Sequence, residues 1–99
     1  MAYAIVFEFG PEVDQKQYDA VNEKLGFDMQ AGTGDLPQGL RAHAAGPLAD
    51  GGWAVIELWD SKAAQESWFG GTLAGALSAV GVAAPTRLTD SELHRMHVR

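Results

Sequence analysis

The chain has 99 residues, with seven Lys and Arg against thirteen Asp and Glu for a net charge of −6, and no cysteine. The acidic balance argues against nucleic-acid binding, which needs basic side chains to neutralise phosphates. The lack of thiols excludes disulfides, thiolate catalysis and cysteine-held zinc or iron–sulfur centres. No apolar run is long enough to span a bilayer. The opening Met1-Ala2-Tyr3-Ala4-Ile5-Val6 lacks the basic start of a secretory signal, so a cytoplasmic location is expected. The length predicts a single domain, residues 1–99. A chain this short buries only about two-thirds of its unfolded surface, and a partner subunit would add to that.

Tyr3 to Phe9, rich in β-branched and aromatic residues and stopped by Gly10-Pro11, predicts the first strand. Asp14 to Leu25 predicts a helix. Asp14 and Gln17 have capping-box spacing, Val13 and Tyr18 that of a hydrophobic staple, and Gly26 is a natural stop. Phe27 to Gln38, with Gly32, Gly34, Asp35 and Pro37, predicts a long loop. Gly39 to Ala45 and Trp53 to Trp59 predict an antiparallel hairpin across the turn residues Gly46 to Gly52. Asp60-Ser61 offers N-cap oxygens to a second helix, which Gly70-Gly71 should break or kink before a stripe of Leu73, Ala76, Leu77 and Val80 ends at Gly81. The last strand falls between Thr86 and Val98. The order is β-α-β-β-α-β, which predicts an α+β, ferredoxin-like βαββαβ fold with a four-stranded antiparallel sheet.

Strand parity sorts the hairpin. Leu40, Ala42, Ala44, Ala54, Ile56 and Leu58 make a small aliphatic face, while Arg41, His43, Trp53, Glu57 and Trp59 share the other with Phe7 and Phe9. The small face is expected to pack beneath the helices. The aromatic face would otherwise form a large exposed apolar patch. It is expected to pack against a second copy, so that a homodimer encloses a mostly aromatic cavity. Pairing Ala45 with Trp53 would set Arg41 opposite Glu57.

Three segments carry a resemblance: Gln17-Tyr18-Asp19-Ala20-Val21-Asn22, His43-Ala44-Ala45-Gly46-Pro47, and Gly52-Trp53 with Glu57-Leu58-Trp59-Asp60-Ser61. On these the chain resembles the dimeric α+β barrel superfamily, especially the small antibiotic-biosynthesis-monooxygenase-like proteins. The resemblance implies a ferredoxin-like protomer, dimerisation through the sheets, and a small-molecule cavity. It also implies kin among cofactor-free monooxygenases of aromatic polyketides, isomerases and haem-degrading enzymes. The haem-degrading set of Asn, Trp and His is not matched, because Phe7 and Phe9 stand where an Asn would be wanted.

His43 leads the catalytic candidates, as an imidazole able to take a phenolic or enolic proton near neutral pH; otherwise it is a hairpin histidine with a structural bond. Arg41 would steady an enolate oxygen or form a plain cross-strand pair with Glu57. Phe7, Phe9, Trp53, Glu57, Trp59 and His94 are the candidate substrate-binding residues, and the aromatics serve equally well as filling. Tyr18 is accounted for by the staple and Trp68 by the core, while Asn22 is either solvated or lines the pocket mouth, the former being favoured. His94 and His97 would share a face only in a helix, and no third ligand is evident, so no metal site and no cofactor are expected. The basic residues Arg87, His94, Arg95, His97 and Arg99 could meet a small anion but read first as a solvated tail. The expectation is an enzyme acting without cofactor on a small aromatic or polyketide-like molecule. The alternatives are a binding module and a solidly packed structural dimer.

Overall fold

β1 (Tyr3–Phe9) runs at the middle of the sheet, and its side chains alternate between buried and half-buried. The structure, a computed structural model, describes residues 2–27 and 36–95. The middle of the expected Phe27–Gln38 loop, His97 and the end of the expected last strand lie outside them.

α1 (Gln15–Leu25) begins at the capping box legible in the sequence. The Asp14 carboxylate accepts from Gln17 N–H, and the Gln17 side chain accepts from Asp14 N–H. Such a cap contributes ~1 kcal/mol. The helix ends at Gly26, whose φ of 81° lies in the left-handed region that favours glycine.

β2 (Leu40–Pro47) and β3 (Trp53–Trp59) form the hairpin. Gly52 closes its turn at φ 100°, where a Cβ would collide with the Phe9 carbonyl oxygen. α2 (Lys62–Trp68) starts from Ser61, whose hydroxyl accepts from Ala64 N–H. Gly70-Gly71 does not break the helix. The chain passes through a π-helical turn, Phe69–Leu73, into α3 (Ala74–Val80). β4 (Arg87–Glu92) is an exposed edge strand. The sheet order is β2-β3-β1-β4, all antiparallel, which is the ferredoxin-like arrangement.

The parity assignment is reversed. The helices cover the aromatic face, where Tyr3, Ile5, Phe7, Phe9, Trp53, Val55 and Trp59 form the core with Val13, Val21, Ala76 and Leu77. The small face, Ala4, Val6, Ala42, Ala44, Ala54, Ile56 and Leu58, is the open one. The reason is volume. The helices bring mostly small or medium side chains to the sheet, so large strand residues must fill the gap between layers. Burying each such side chain stabilises the fold by ~1.5–3 kcal/mol. Leaving alanines in water forfeits far less. The barrel of aromatics shared between two subunits is therefore replaced by a core within one.

Register is corrected as well. His43 stands opposite Glu57 and Ala45 opposite Val55, two residues away from the expected pairing. An irregularity between Leu40 and Ala42 turns Leu40 to the same side as Trp59 and leaves Arg41 outside the alternation.

Candidate functional site

A cavity of about 50 Å³ lies between the helix layer and the sheet. Its walls are mostly apolar, with Phe7, Phe9 and Val55 from the sheet, Val21 and Leu25 from α1, and Leu77 from α3. Trp68, Leu73 and Phe27 complete it near the π-turn, with the Phe27 ring stacked on Trp68 at 5.9 Å. Its polar residues are Gln17, Tyr18, Asn22, His43 and Glu57. Convergent polar groups in an apolar pocket are the usual make-up of a small-molecule site.

Three of these groups form a chain. Tyr18 Oη lies 2.6 Å from His43 Nε2, and His43 Nδ1 lies 3.2 Å from Glu57 Oε2. The other carboxylate oxygen of Glu57 accepts from Trp59 Nε1–H at 3.0 Å. Glu57 is 3% exposed, and these two donors satisfy the carboxylate in a place water hardly reaches. A carboxylate only accepts, so His43 Nδ1 carries the hydrogen and Nε2 presents its lone pair. The Tyr18 hydroxyl therefore donates to His43. The tyrosine ring is held between His43, at a centroid distance of 6.0 Å, and Trp53, at 5.3 Å.

Burial pushes the Tyr18 phenol above its ordinary pKa. Asn22, one helical turn on, favours the ionised phenol, whereas Asp19 and Glu57 oppose it by charge. Asn22 is 5% exposed, and its Nδ2 makes no hydrogen bond of normal length and angle among the described residues. A buried, unmatched amide donor on a cavity wall costs ~1–3 kcal/mol unless a ligand or water meets it.

Of the residues singled out in the sequence, Phe7, Phe9, His43 and Glu57 line the cavity. Arg41 does not. At the strand irregularity it points outward and pairs with exposed Asp60 instead of Glu57. Trp53 is buried beside Tyr18 but outside the lining, and Trp59 is buried behind Glu57. His94 is exposed, beyond the end of β4, so it does not enter the cavity. Among the described residues no group of three His, Asp or Glu is placed to hold a metal.

Tyr18, Gln17 and Trp68 were missed as cavity residues, and Asn22, weighed between solvent and the pocket mouth, takes the second place. The signal for two of them was present: Tyr18 and Asn22 are four apart on the same helix stripe as Val21 and Leu25. Explaining Tyr18 by the staple alone hid what its hydroxyl does.

Solved structures share this architecture. The structure of Rv0793 from Mycobacterium tuberculosis is 18% identical, with 99% of this chain and 100% of that one covered at a TM-score of 0.69. SnoaB, a cofactor-independent oxygenase from Streptomyces nogalater whose structure is that of a point variant, is 13% identical, with 96% and 95% covered at 0.64. MhuD, in a variant holding two manganese protoporphyrin IX groups per active site, is 13% identical, with both chains fully covered at 0.60. No protein-family model and no curated protein matches the sequence. The chain thus has the ferredoxin-like α+β fold of these solved structures, among which are proteins described as antibiotic biosynthesis monooxygenases. At these identities the likeness defines the fold alone. No described helix is long and apolar enough to cross a membrane.

Proposed function

We propose that the protein is a small-molecule enzyme of the antibiotic-biosynthesis-monooxygenase-like type, acting without cofactor on an aromatic or polyketide-like substrate in the cavity between helices and sheet. The observation that carries this is the Tyr18–His43–Glu57 chain set in an apolar wall. A half-buried imidazole backed by a buried carboxylate is equipped to accept a proton from an enol or phenol. The resulting electron-rich anion reacts with O₂. A ring methylene becomes a carbonyl, one oxygen atom is kept and the other leaves as water, so the substrate itself supplies the electrons. Phe7, Phe9 and Trp68 would bracket the ring. Arg41, on the outer side of the bulge, has no part in this reading.

Haem is not part of it either. The one lone pair of His43, on Nε2, already accepts from the Tyr18 hydroxyl, and iron would have to displace that bond. The cavity volume also restricts the substrate. A cavity of ~150 Å³ takes up benzene, three times the space present here. An aromatic substrate must therefore displace the roof as it enters, and the π-turn Phe69–Leu73 with its two glycines is the part most able to yield.

The homodimer belongs to the same proposal, formed through the open small-residue face rather than the aromatic one. Ile56 is 48% exposed at the middle of that face, among half-buried and exposed alanines. An exposed apolar sheet face invites a second copy.

Oxygen uptake with a panel of anthrones and hydroxynaphthalenes tests the enzyme reading. Consumption matched by ketone product, lost in His43→Ala, is expected. Binding without oxygen uptake across the panel would leave a non-catalytic binding protein.

A further inference from the structure

We propose that Tyr18 is the catalytic residue that meets the substrate: its hydroxyl takes the substrate's proton while passing its own to His43 Nε2, and Asn22 Nδ2 then holds the oxygen anion left behind. This rests on the enzyme reading above and replaces direct attack by the imidazole.

The geometry leaves little choice about the order of groups. His43 Nε2 is occupied by the phenol and Nδ1 by Glu57, so a proton from the cavity reaches the imidazole only through the Tyr18 oxygen. Proton bookkeeping closes without any outside partner. The substrate O–H bond breaks and a bond to Tyr18 Oη forms. The former Tyr18 proton moves to His43 Nε2, making an imidazolium beside the Glu57 carboxylate. Tyr18 ends neutral, with its hydroxyl now turned to the substrate anion as a donor. Burial disfavours a standing tyrosinate at this position, which suits a relay that never holds the charge. The ionic groups acting on the phenol are Asp19 on its own helix and Glu57 on the sheet face beneath it, besides His43 itself. Both carboxylates oppose negative charge on the phenol.

Asn22 supplies the second half. Asn22 lines the cavity, and its Nδ2 is buried without a hydrogen bond of normal length and angle among the described residues, though it stands near enough to Tyr18 to favour the ionised phenol. An unmatched donor next to the phenol is matched when an oxyanion arrives. Together the Tyr18 hydroxyl and the Asn22 amide make a two-donor cradle for an enolate or phenolate oxygen. The substrate class is therefore one with an acidic hydroxyl or enolisable carbonyl as its inner end and an apolar remainder.

The test uses 4-nitrophenol with the full-length protein, because only its phenolate absorbs in the visible. Bound to the wild type it should ionise about one pH unit lower than free in solution, a tenfold shift in favour of the anion. Tyr18→Phe keeps the ring packing and should return the bound probe to its free value. Asn22→Leu should recover at least a third of the shift. Nitrogen NMR should show His43 doubly protonated when the probe binds to the wild type, and singly protonated with Tyr18→Phe. Equal ionisation in the wild type and Tyr18→Phe, or no uptake of the probe by the wild type, overturns the relay. No oxygen takes part. An intact shift with no oxygen uptake on the aromatic panel would sink the oxygenase reading and leave the relay standing.

Discussion

The Tyr18 hydroxyl sits 2.6 Å from His43 Nε2, tying the first helix to the second strand across 25 positions of sequence. Tyr3 is the other tyrosine. Buried in the core, it donates to Asp90 Oδ2 at 2.6 Å, and burial, that bond and the charges of Asp90 and Glu66 push its pKa well up. With Tyr18 raised as well, the folded state holds both phenolic protons more tightly than the unfolded chain does. The stability this brings is fully present below pH ~10, the unfolded value. It is lost as pH rises through the folded values. Urea midpoints measured from pH 8 to 12 should fall above pH ~10, and tyrosinate absorbance should appear together with loss of structure. Tyrosinate forming near pH 10 with the fold intact would contradict this.

Trp59 and Trp53 lie on the same strand face, yet they are expected to tolerate phenylalanine differently. Trp59 is fully buried and donates to Glu57, whereas Trp53 Nε1 has no partner among the described residues. Trp59→Phe removes a donor from a buried carboxylate, which costs ~1–3 kcal/mol beyond the lost volume. Trp53→Phe loses volume alone. Denaturant unfolding should rank Trp59→Phe as the more harmful by at least ~1 kcal/mol. The reverse order would show that the Glu57 bond contributes nothing net.

Arg41→Ala should be almost silent. The guanidinium and its partner Asp60 are both more than half exposed, and such pairs contribute ~0–1 kcal/mol. Ligand binding, followed with 4-nitrophenol, should be unchanged within error. A loss of binding would return Arg41 to the site from which the strand irregularity removes it.

The secondary structure was largely legible because its signals are local. The capping box at Asp14, the stop at Gly26 and the third strand from Trp53 to Trp59 depend on residues within one turn or one pleat. His43, Glu57, Phe7 and Phe9 could be grouped because alternation places them on one face. Which side that face turns to is not a local matter. It depends on how much volume the helices bring, summed over the whole layer, and small residues were wrongly paired with the helices for that reason. The bulge beside Arg41 is a non-local result too, since it emerges from fitting β2 to β3. Tyr18 shows a different failure. A ring explained by a staple still has a hydroxyl, and only the fold reveals that an imidazole 25 residues away receives it.

The open face gives the test of assembly. Ile56 lies opposite Val6 and Ala44, away from the helices, so an aspartate there leaves the core untouched. Ile56→Asp should keep its thermal unfolding transition as a folded protein while sedimentation shows a dimer replaced by a monomer. A buried unpaired carboxylate in a two-fold interface would appear twice and cost several kcal/mol. A wild type that sediments as a monomer at tens of micromolar would end the dimer proposal, and so would a variant that stays dimeric.

The π-turn carries the last expectation. Gly70 and Gly71 have open space where a Cβ would sit, and neither has a positive φ. Alanine at either position meets no steric barrier and removes backbone freedom from the unfolded chain, which stabilises by ~0.4–1 kcal/mol. The same substitution stiffens the segment between Phe69, stacked on Phe7 at 5.2 Å, and Leu73 in the cavity wall. The cavity holds only about 50 Å³ as it stands, so an aromatic guest needs that segment to move. Gly70→Ala with Gly71→Ala should therefore raise the unfolding midpoint and slow the uptake of 4-nitrophenol in stopped flow. A stabilised variant with unchanged entry rate would place the entrance elsewhere, away from the helical roof.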